Sequence, residues 1–295
     1  MKRVSCLRIL CGFAFWHAGV QAAAIDTAYR AQIEQWRQQR AADLKADGGW
    51  LTVTGLFWLK DGLNAVGSDP ANDILLPDGA PARLGTVELE NGNAVFTAST
   101  PSVTLDGKAV KGAPLRAAGP ASVLSAGPLD LLLLQRGGRY ALRLKDKNSA
   151  LRKNFTGLRW YPIQEDWRIA AKFVPLPSSS KLVFDTVIGE QETMESPGYA
   201  EFQLGGHTYK LQAAAQGRRL FFVIRDLTSG KTTYGASRFI YADAPRDGAV
   251  VLDFNKAENP PCAFTPYATC PLPPPQNRLP VAIEAGELKY EGSGH

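Results

Sequence analysis

The sequence predicts a mostly β protein: an N-terminal helix followed by two packed antiparallel β regions, sandwich- or barrel-like. Three observations predict it. Short runs rich in β-branched and aromatic residues fill the chain after Gly49. Glycine dipeptides of the Asn-Gly, Asp-Gly and Gly-Gly kind separate them, and these residues accept the positive φ of tight hairpins. There is no alternation of strands with long helices, which argues against a doubly wound or α/β-barrel fold.

The first segment reads as an export signal, residues 1–22. Lys2, Arg3 and Arg8 precede an apolar run from Ile9 to Trp16, which closes on Val20-Gln21-Ala22-Ala23-Ala24. A basic start, a short apolar middle and small residues at the end form a Sec-type signal peptide, with cleavage near residues 22–24. The run is interrupted by His17 and falls short of the roughly 20 apolar residues that span a bilayer. The expected location is periplasmic or secreted. No later stretch is apolar for long enough to span a membrane. The whole chain carries 33 basic and 28 acidic residues, net +5; without Lys2, Arg3 and Arg8 the balance is 30 against 28, net +2. With no dense basic patch, nucleic-acid binding has little support.

Residues 25–48 read as an amphipathic helix. Ala28, Ile33, Trp36, Ala41 and Leu44 fall at helical spacing, Asp26 or Thr27 supplies the cap, and Gly48-Gly49 ends it. Residues 49–150 form the first β region. It opens with Leu51 to Leu59, and turns fall at Asp61-Gly62, Asn91-Gly92, Asp106-Gly107 and Gly137-Gly138. Six or seven strands suffice for a sandwich. Residues 151–166 connect, with Phe155, Trp160 and Tyr161 packed. Residues 167–291 form the second β region. Its strands fall near Trp167–Phe173, Lys181–Asp185, Ala200–Leu204, Thr208–Ala213, Leu220–Arg225, Thr233–Tyr241 and Val250–Phe254, with Val281–Glu284 as a last candidate. A Pro-rich loop, Pro271–Pro275, lies near the end.

Known catalytic and nucleotide-binding motifs are absent. There is no Gly-x-Ser-x-Gly, Walker loop, His-Glu-x-x-His or Gly-x-Gly-x-x-Gly. With His207 and His295 the only histidines after the leader, no metal site and no cofactor are expected. Polar chemistry concentrates in Asp253-Phe-Asn255-Lys-Ala-Glu258-Asn259-Pro-Pro-Cys262, then Gln276-Asn277-Arg278 and Glu284-Ala-Gly-Glu287. Strand alternation places Val250, Leu252 and Phe254 on one face and Asp253 and Asn255 on the other. Asp253 and Glu287 are candidate general acid–base residues. Arg168, Tyr234, Arg238, Asn255, Asn277 and Arg278 are candidate ligand-orienting residues; the guanidinium fork suits carboxylate or phosphate. The alternative is that Asp, Asn and Glu beside prolines satisfy loop backbone groups. Cys262 and Cys270 suggest a disulfide stapling the Pro-rich loop, contributing roughly 2–3 kcal/mol. Reduced structural thiols are the alternative.

The segment Asp253 to Pro274, with Asn277-Arg278-Leu279 and Ala285-Gly286-Glu287, resembles the signature of the DUF1684 family of uncharacterised bacterial proteins. Gly55-Leu-Phe-Trp58-Leu, Gly67-Ser68-Asp69, Tyr234-Gly235 and Arg238-Phe239 are similar to it as well. Glu258 stands where relatives usually carry Tyr, and Gln276 where many carry Glu. The resemblance implies membership and no known reaction. Gly67-Ser68-Asp69 with Asn72-Asp73-Ile74-Leu75-Leu76-Pro77 is similar to the forkhead-associated β-sandwich. Ser68 occupies the place of that fold's phosphate-binding Arg, so only the sandwich analogy carries over. Two functions follow as expectations. One is binding of a small polar ligand, glycan or envelope partner by the C-terminal β region. The other is a periplasmic hydrolase using Asp253 and Glu287.

Overall fold

The computed structural model describes residues 26–292. The segment read as an export signal lies outside them. The helix α1 (Thr27–Lys45) starts where Asp26 accepts the Ala28 amide at 2.9 Å, satisfying one orphan donor of the first turn. Its buried stripe is Tyr29, Ile33 and Leu44, with Trp36, Arg37 and Arg40 half-buried between them. Ala28, expected on this face, is exposed; Tyr29 takes its place.

The first β region holds eleven strands, more than the six or seven expected because several are only two residues long. They are β1 (Val53–Trp58), β2 (Gly62–Gly67), β3 (Ile74–Leu75), β4 (Gly85–Glu90), β5 (Asn93–Ala98), β6 (Thr104–Leu105), β7 (Lys108–Ala109), β8 (Gly112–Leu115), β9 (Val123–Ala126), β10 (Leu129–Arg136) and β11 (Arg139–Asp146). One sheet runs β1-β11-β10-β9-β6-β7 and the other β3-β2-β4-β5-β8. Their inner faces share one core, which includes Val66, Leu84, Phe96, Leu131, Leu142 and Leu144, so the region is a sandwich. The Asn91-Gly92 turn has φ 50° and 77°, the conformation such dipeptides tolerate, and it sets the β4–β5 register Glu90↔Asn93.

A short helix, α2 (Ala150–Lys153), leads into the second region. Its strands are β12 (Arg168–Pro175), β13 (Lys181–Asp185), β14 (Gln191–Glu195), β15 (Gly198–Leu204), β16 (His207–Gln216), β17 (Arg219–Ile224), β18 (Arg238–Asp243) and β19 (Ala249–Asp253). Six of them form one sheet, β18-β17-β16-β15-β12-β19, which curls until β18 and β19 come side by side. The nearly closed barrel is filled by Ala200, Leu211, Phe222, Ile240, Leu252 and Phe254. Phe221, Val223 and Phe239, alternating with these, face outward. The hairpin β13–β14 and the Cys262–Cys270 segment cover part of that outer face.

Three strand expectations differ: the strand expected over Thr233–Tyr241 begins only at Arg238, since residues 233–237 form an isolated bridge and bends. The strand expected over Val250–Phe254 ends at Asp253, and Phe254–Lys256 forms a 3-10 turn capped by the Asp253 carboxylate. Val281–Glu284 is irregular: the Ile283 amide donates to Asp226 and the Val281 carbonyl accepts from Leu227, so no ladder forms. No helix among the described residues is long and apolar enough to cross a membrane.

Candidate functional site

Helix α1 lies along the outside of the barrel and delivers Arg40 to its wall. Arg37 anchors the helix, donating to the Tyr161 carbonyl at 3.0 Å with its guanidinium over Trp160. Arg40, one turn on, donates to the Asn259 carbonyl at 2.8 Å. Its Nε lies 3.4 Å from Glu258 and 3.5 Å from Glu287, so a single guanidinium stands between two carboxylates. Glu287 is fully buried and accepts the side-chain amide of Asn259 at 2.9 Å and its backbone N–H at 3.2 Å. The preceding Gly286 is required at φ +82°, because a Cβ there would come 2.4 Å from the Ala257 carbonyl.

Burial dominates the electrostatics here. It raises Glu287 from its ordinary 4.5 to about 7, with Arg40 opposing and Glu258 reinforcing the shift. Burial also raises Glu258, against the pull of Arg40 and Arg219. Burial works against the charge on Arg40, but Glu258 and Glu287 outweigh it and hold its pKa above the ordinary value. Burial and then Glu258 push the Tyr241 phenol upward, so it stays protonated as a donor. The cluster therefore holds a proton among its carboxyls near neutrality.

Two cavities flank this cluster, of about 310 and 360 Å³, and both are lined by Arg40, Tyr241 and Glu258. The first continues to Trp50, Arg136 and Cys270, against the sandwich; the second to Trp36, Arg219 and Lys256, under α1. Volumes of this order suit small ligands. A third cavity of about 520 Å³ shares Trp36, Arg219, Tyr241 and Lys256 with the second and reaches Arg168 and Asp253. The three lie side by side along the outer face of the barrel and together are termed the cleft.

The expected residues divide between cleft and framework. Asp253 and Arg168 come together as register partners of β19 and β12. Asp253 accepts the Tyr29 phenol at 2.9 Å, and Arg168 lies over the Tyr29 ring. Asn255, expected to project from a strand, turns inward and binds Tyr29 and both backbone groups of Gln164, joining α1 to the connector. Asp253 and Glu287 occupy different parts of the wall, with Glu287 behind Arg40. Arg238, expected to orient a ligand, is fully buried and held by Asp226 at 2.5 Å and by the carbonyls of Ala285 and Ile283. Asn277, also fully buried, bridges Gln212 and Val223 where β16 changes partner from β15 to β17. Tyr234 donates to the Cys262 carbonyl, and Arg278 to that of Pro273. All four side chains bond to framework groups.

The disulfide expected between Cys262 and Cys270 is absent. The Cys270 sulfur instead accepts the Cys262 amide at 3.2 Å, and both thiols lie in the apolar cluster over the barrel's outer face. Packing and hydrogen bonding hold the loop without the covalent staple.

Arg40, which lines both cavities and meets both carboxylates, was not singled out from the sequence. Its signal is nonetheless in the spacing: Ile33, Arg37, Arg40 and Leu44 fall on one helical stripe, so two arginines sit among core positions.

An uncharacterised protein from gene locus rrnAC0354 of Haloarcula marismortui, solved by NMR, is 30% identical to this chain over 49% of it and 81% of that protein, with a TM-score of 0.40. Residues 153–288 match the model of DUF1684, a family described as protein of unknown function. The chain belongs to this family. Within this DUF1684 protein, the matched span contains the barrel, Glu258 and Glu287, while Arg40 lies ahead of it. An FHA domain of FhaA, solved with the intracellular domain of Rv3910, is 18% identical, covering 30% of this chain and 96% of that one, with a TM-score of 0.22. A second FHA structure, from an analysis of phosphothreonine-dependent interactions, has the same identity and TM-score and is covered over 92% of its length. No curated protein matches.

Proposed function

We propose that this DUF1684 protein is an exported binding protein that holds a small polar ligand in the cleft between α1 and the outer face of the barrel. The observation that carries the reading is Arg40 between Glu258 and Glu287. The chain commits a buried charged cluster to the shared wall of two cavities, with the protonated Tyr241 phenol beside it. Groups of this kind, fixed by a helix on a rigid sheet, give a preorganised set of donors and acceptors for hydroxyls or charged groups. Small polar metabolites and glycan fragments of the cell envelope fit that chemistry. Export rests on the basic, apolar, Ala-ending leader, and mass spectrometry of the processed protein tests it: a new terminus at residue 23 or 25 is expected.

Binding is tested by a thermal-shift screen of sugars, muropeptides, nucleotides and organic acids. A compound at 100 times its Kd should add about 2.7 kcal/mol. The shift should fall in Glu258→Gln and Tyr241→Phe. Compounds that bind both variants as well as they bind the parent protein would place the ligand elsewhere.

A hydrolase is the second reading, favoured by the pKa of Glu287 near 7, where an acid–base group works best. Glu258 would then contact substrate, with Glu287 setting its proton through Arg40; Asp253, with Arg168, faces the far end of the cleft. Turnover of a bound compound that vanishes in Glu258→Gln would establish it, and binding with no turnover would dismiss it.

A further inference from the structure

Arg143 is a buried cation that forms no ion pair among the described residues. On β11, Leu142 and Leu144 enter the sandwich core, so Arg143 takes the opposite face, toward the barrel. It is 9% exposed, and its Nε and Nη2 are buried without a hydrogen-bond partner. Its guanidinium lies 4.9 Å from the centre of the Trp50 ring. Burial, and then the nearby Arg136, lower its pKa to about 10, so it carries its charge at neutral pH beside a second cation. Arg136 donates to the Thr269 hydroxyl at 3.0 Å and to its neighbour's carbonyl. Among the described residues neither arginine forms an ion pair, although twelve ion pairs occur elsewhere.

Trp50, Arg136, Thr269 and Cys270 all line the 310 Å³ cavity, and the floor of that cavity is aromatic. Phe221 and Tyr241 stack at 5.1 Å, and Phe239 meets Phe221 edge-on at 4.9 Å. Arg136 stands at the cavity wall without an ion-pair partner, and Arg143 lies behind the cavity lining, over Trp50, where a desolvated charge needs a counter-charge. Arg136 can offer an oxyanion N–H donors of its guanidinium fork, and Arg143 adds positive potential from behind it. Of the acids lining the cavity, Glu258 is shared with Arg40, which leaves Glu192 of β14 unpaired among the described residues.

We propose that Arg136, with the charge of Arg143 behind it over Trp50, forms an oxyanion subsite of the cleft, and that the ligand is a small organic carboxylate or phosphate whose apolar body packs against the aromatic floor. This rests on the cleft being a binding site and names the chemical class it takes.

The test is calorimetric titration and thermal shift of the purified protein with phenyl phosphate and with benzoate. Benzyl alcohol is the neutral control, and sodium chloride matches ionic strength. Arg143→Met and Arg136→Met are compared with the parent. The subsite predicts binding of one or both anions but not of the alcohol, and which anion binds separates phosphate from carboxylate ligands. Arg136→Met should lose affinity by about tenfold or more, the worth of a charge-assisted hydrogen bond, and Arg143→Met should lose a smaller, salt-sensitive part. Without ligand, Arg143→Met should melt no earlier than the parent, because it relieves an uncompensated charge. Undiminished anion binding in both variants would overturn the proposal, as would no binding of either anion. So would early melting of ligand-free Arg143→Met, which would make the guanidinium a strut over Trp50. A neutral compound that binds in a Tyr241-dependent way while both anions fail would leave the cleft standing and remove the subsite alone.

Discussion

Arg40 and Glu287 meet at 3.5 Å, yet no hydrogen bond joins them: the Arg40 Nη2 goes to the Asn259 carbonyl and Glu287 accepts from Asn259. Asn259 thus bonds to both partners. Their attraction is too weak to keep Glu287 in its ordinary range against full burial. The first prediction follows from this balance. An acid whose pKa is higher folded than unfolded binds its proton more tightly in the folded state. Its stabilising contribution is complete below pH 4.5 and is lost as pH rises through about 7. Stability should therefore fall between pH 5 and pH 8, with Glu287 responsible for up to about 3 kcal/mol of the fall. Burial of Glu258 acts in the same direction. Urea titration of Glu287→Gln should show a visibly flatter profile, and a slope equal to the parent's would refute the assignment.

Removing Arg40 tests the cluster from the other side. Arg40→Met leaves Glu258 and Glu287 without their shared counter-charge. At pH 8 the loss should reach about 3–5 kcal/mol, the range for breaking a buried pair from one partner. At pH 5, where the carboxyls take up protons, it should be much smaller. Equal destabilisation at both pH values would mean that Arg40 acts through packing on Phe264, over which its guanidinium also lies, rather than through charge.

Much of the fold was legible because its determinants are local. Asn91-Gly92, Asp106-Gly107 and Gly137-Gly138 each occupy positive φ at a hairpin, and each is marked by residues that tolerate it. The apolar run Leu220–Ile224 marked a strand, but only the structure shows that both its faces are covered. The site was less legible, because burial and partnership are long-range. Arg238 and Asn277 look like ligand-binding residues in sequence, since buried framework and functional site draw on the same polar side chains. Only the carbonyls of Ala285, Ile283, Gln212 and Val223, brought up by tertiary structure, tell them apart. Arg40 went unseen because an arginine on a helix is normally taken for the solvated face.

Asn277 gives the third prediction. Its side chain makes three hydrogen bonds to the backbone of Gln212 and Val223, filling the gap where β16 leaves β15 for β17. Asn277→Ala orphans those groups inside the protein, so a loss of about 2–4 kcal/mol is expected. Ligand affinity in the cleft should stay within twofold or so, about the scatter for distant independent sites. A variant that keeps its stability but loses the ligand would return Asn277 to the binding site.

The last prediction concerns Arg238 and Asp226, a salt bridge with both side chains wholly inaccessible. Arg238 also holds the carbonyls of Ala285 and Ile283, so it fixes the segment that presents Gly286 and Glu287. Asp226 in turn binds Thr228 and the Ile283 amide and shapes the loop before β18. Arg238→Met alone strands a buried carboxylate, and Asp226→Asn alone strands a buried guanidinium; each should cost about 3–5 kcal/mol. The double variant carries no stranded charge and should be clearly more stable than the sum of the two losses implies. Equilibrium unfolding of the four proteins measures the coupling. Strict additivity would show that the pair is not coupled and that Arg238 acts through the two carbonyls alone.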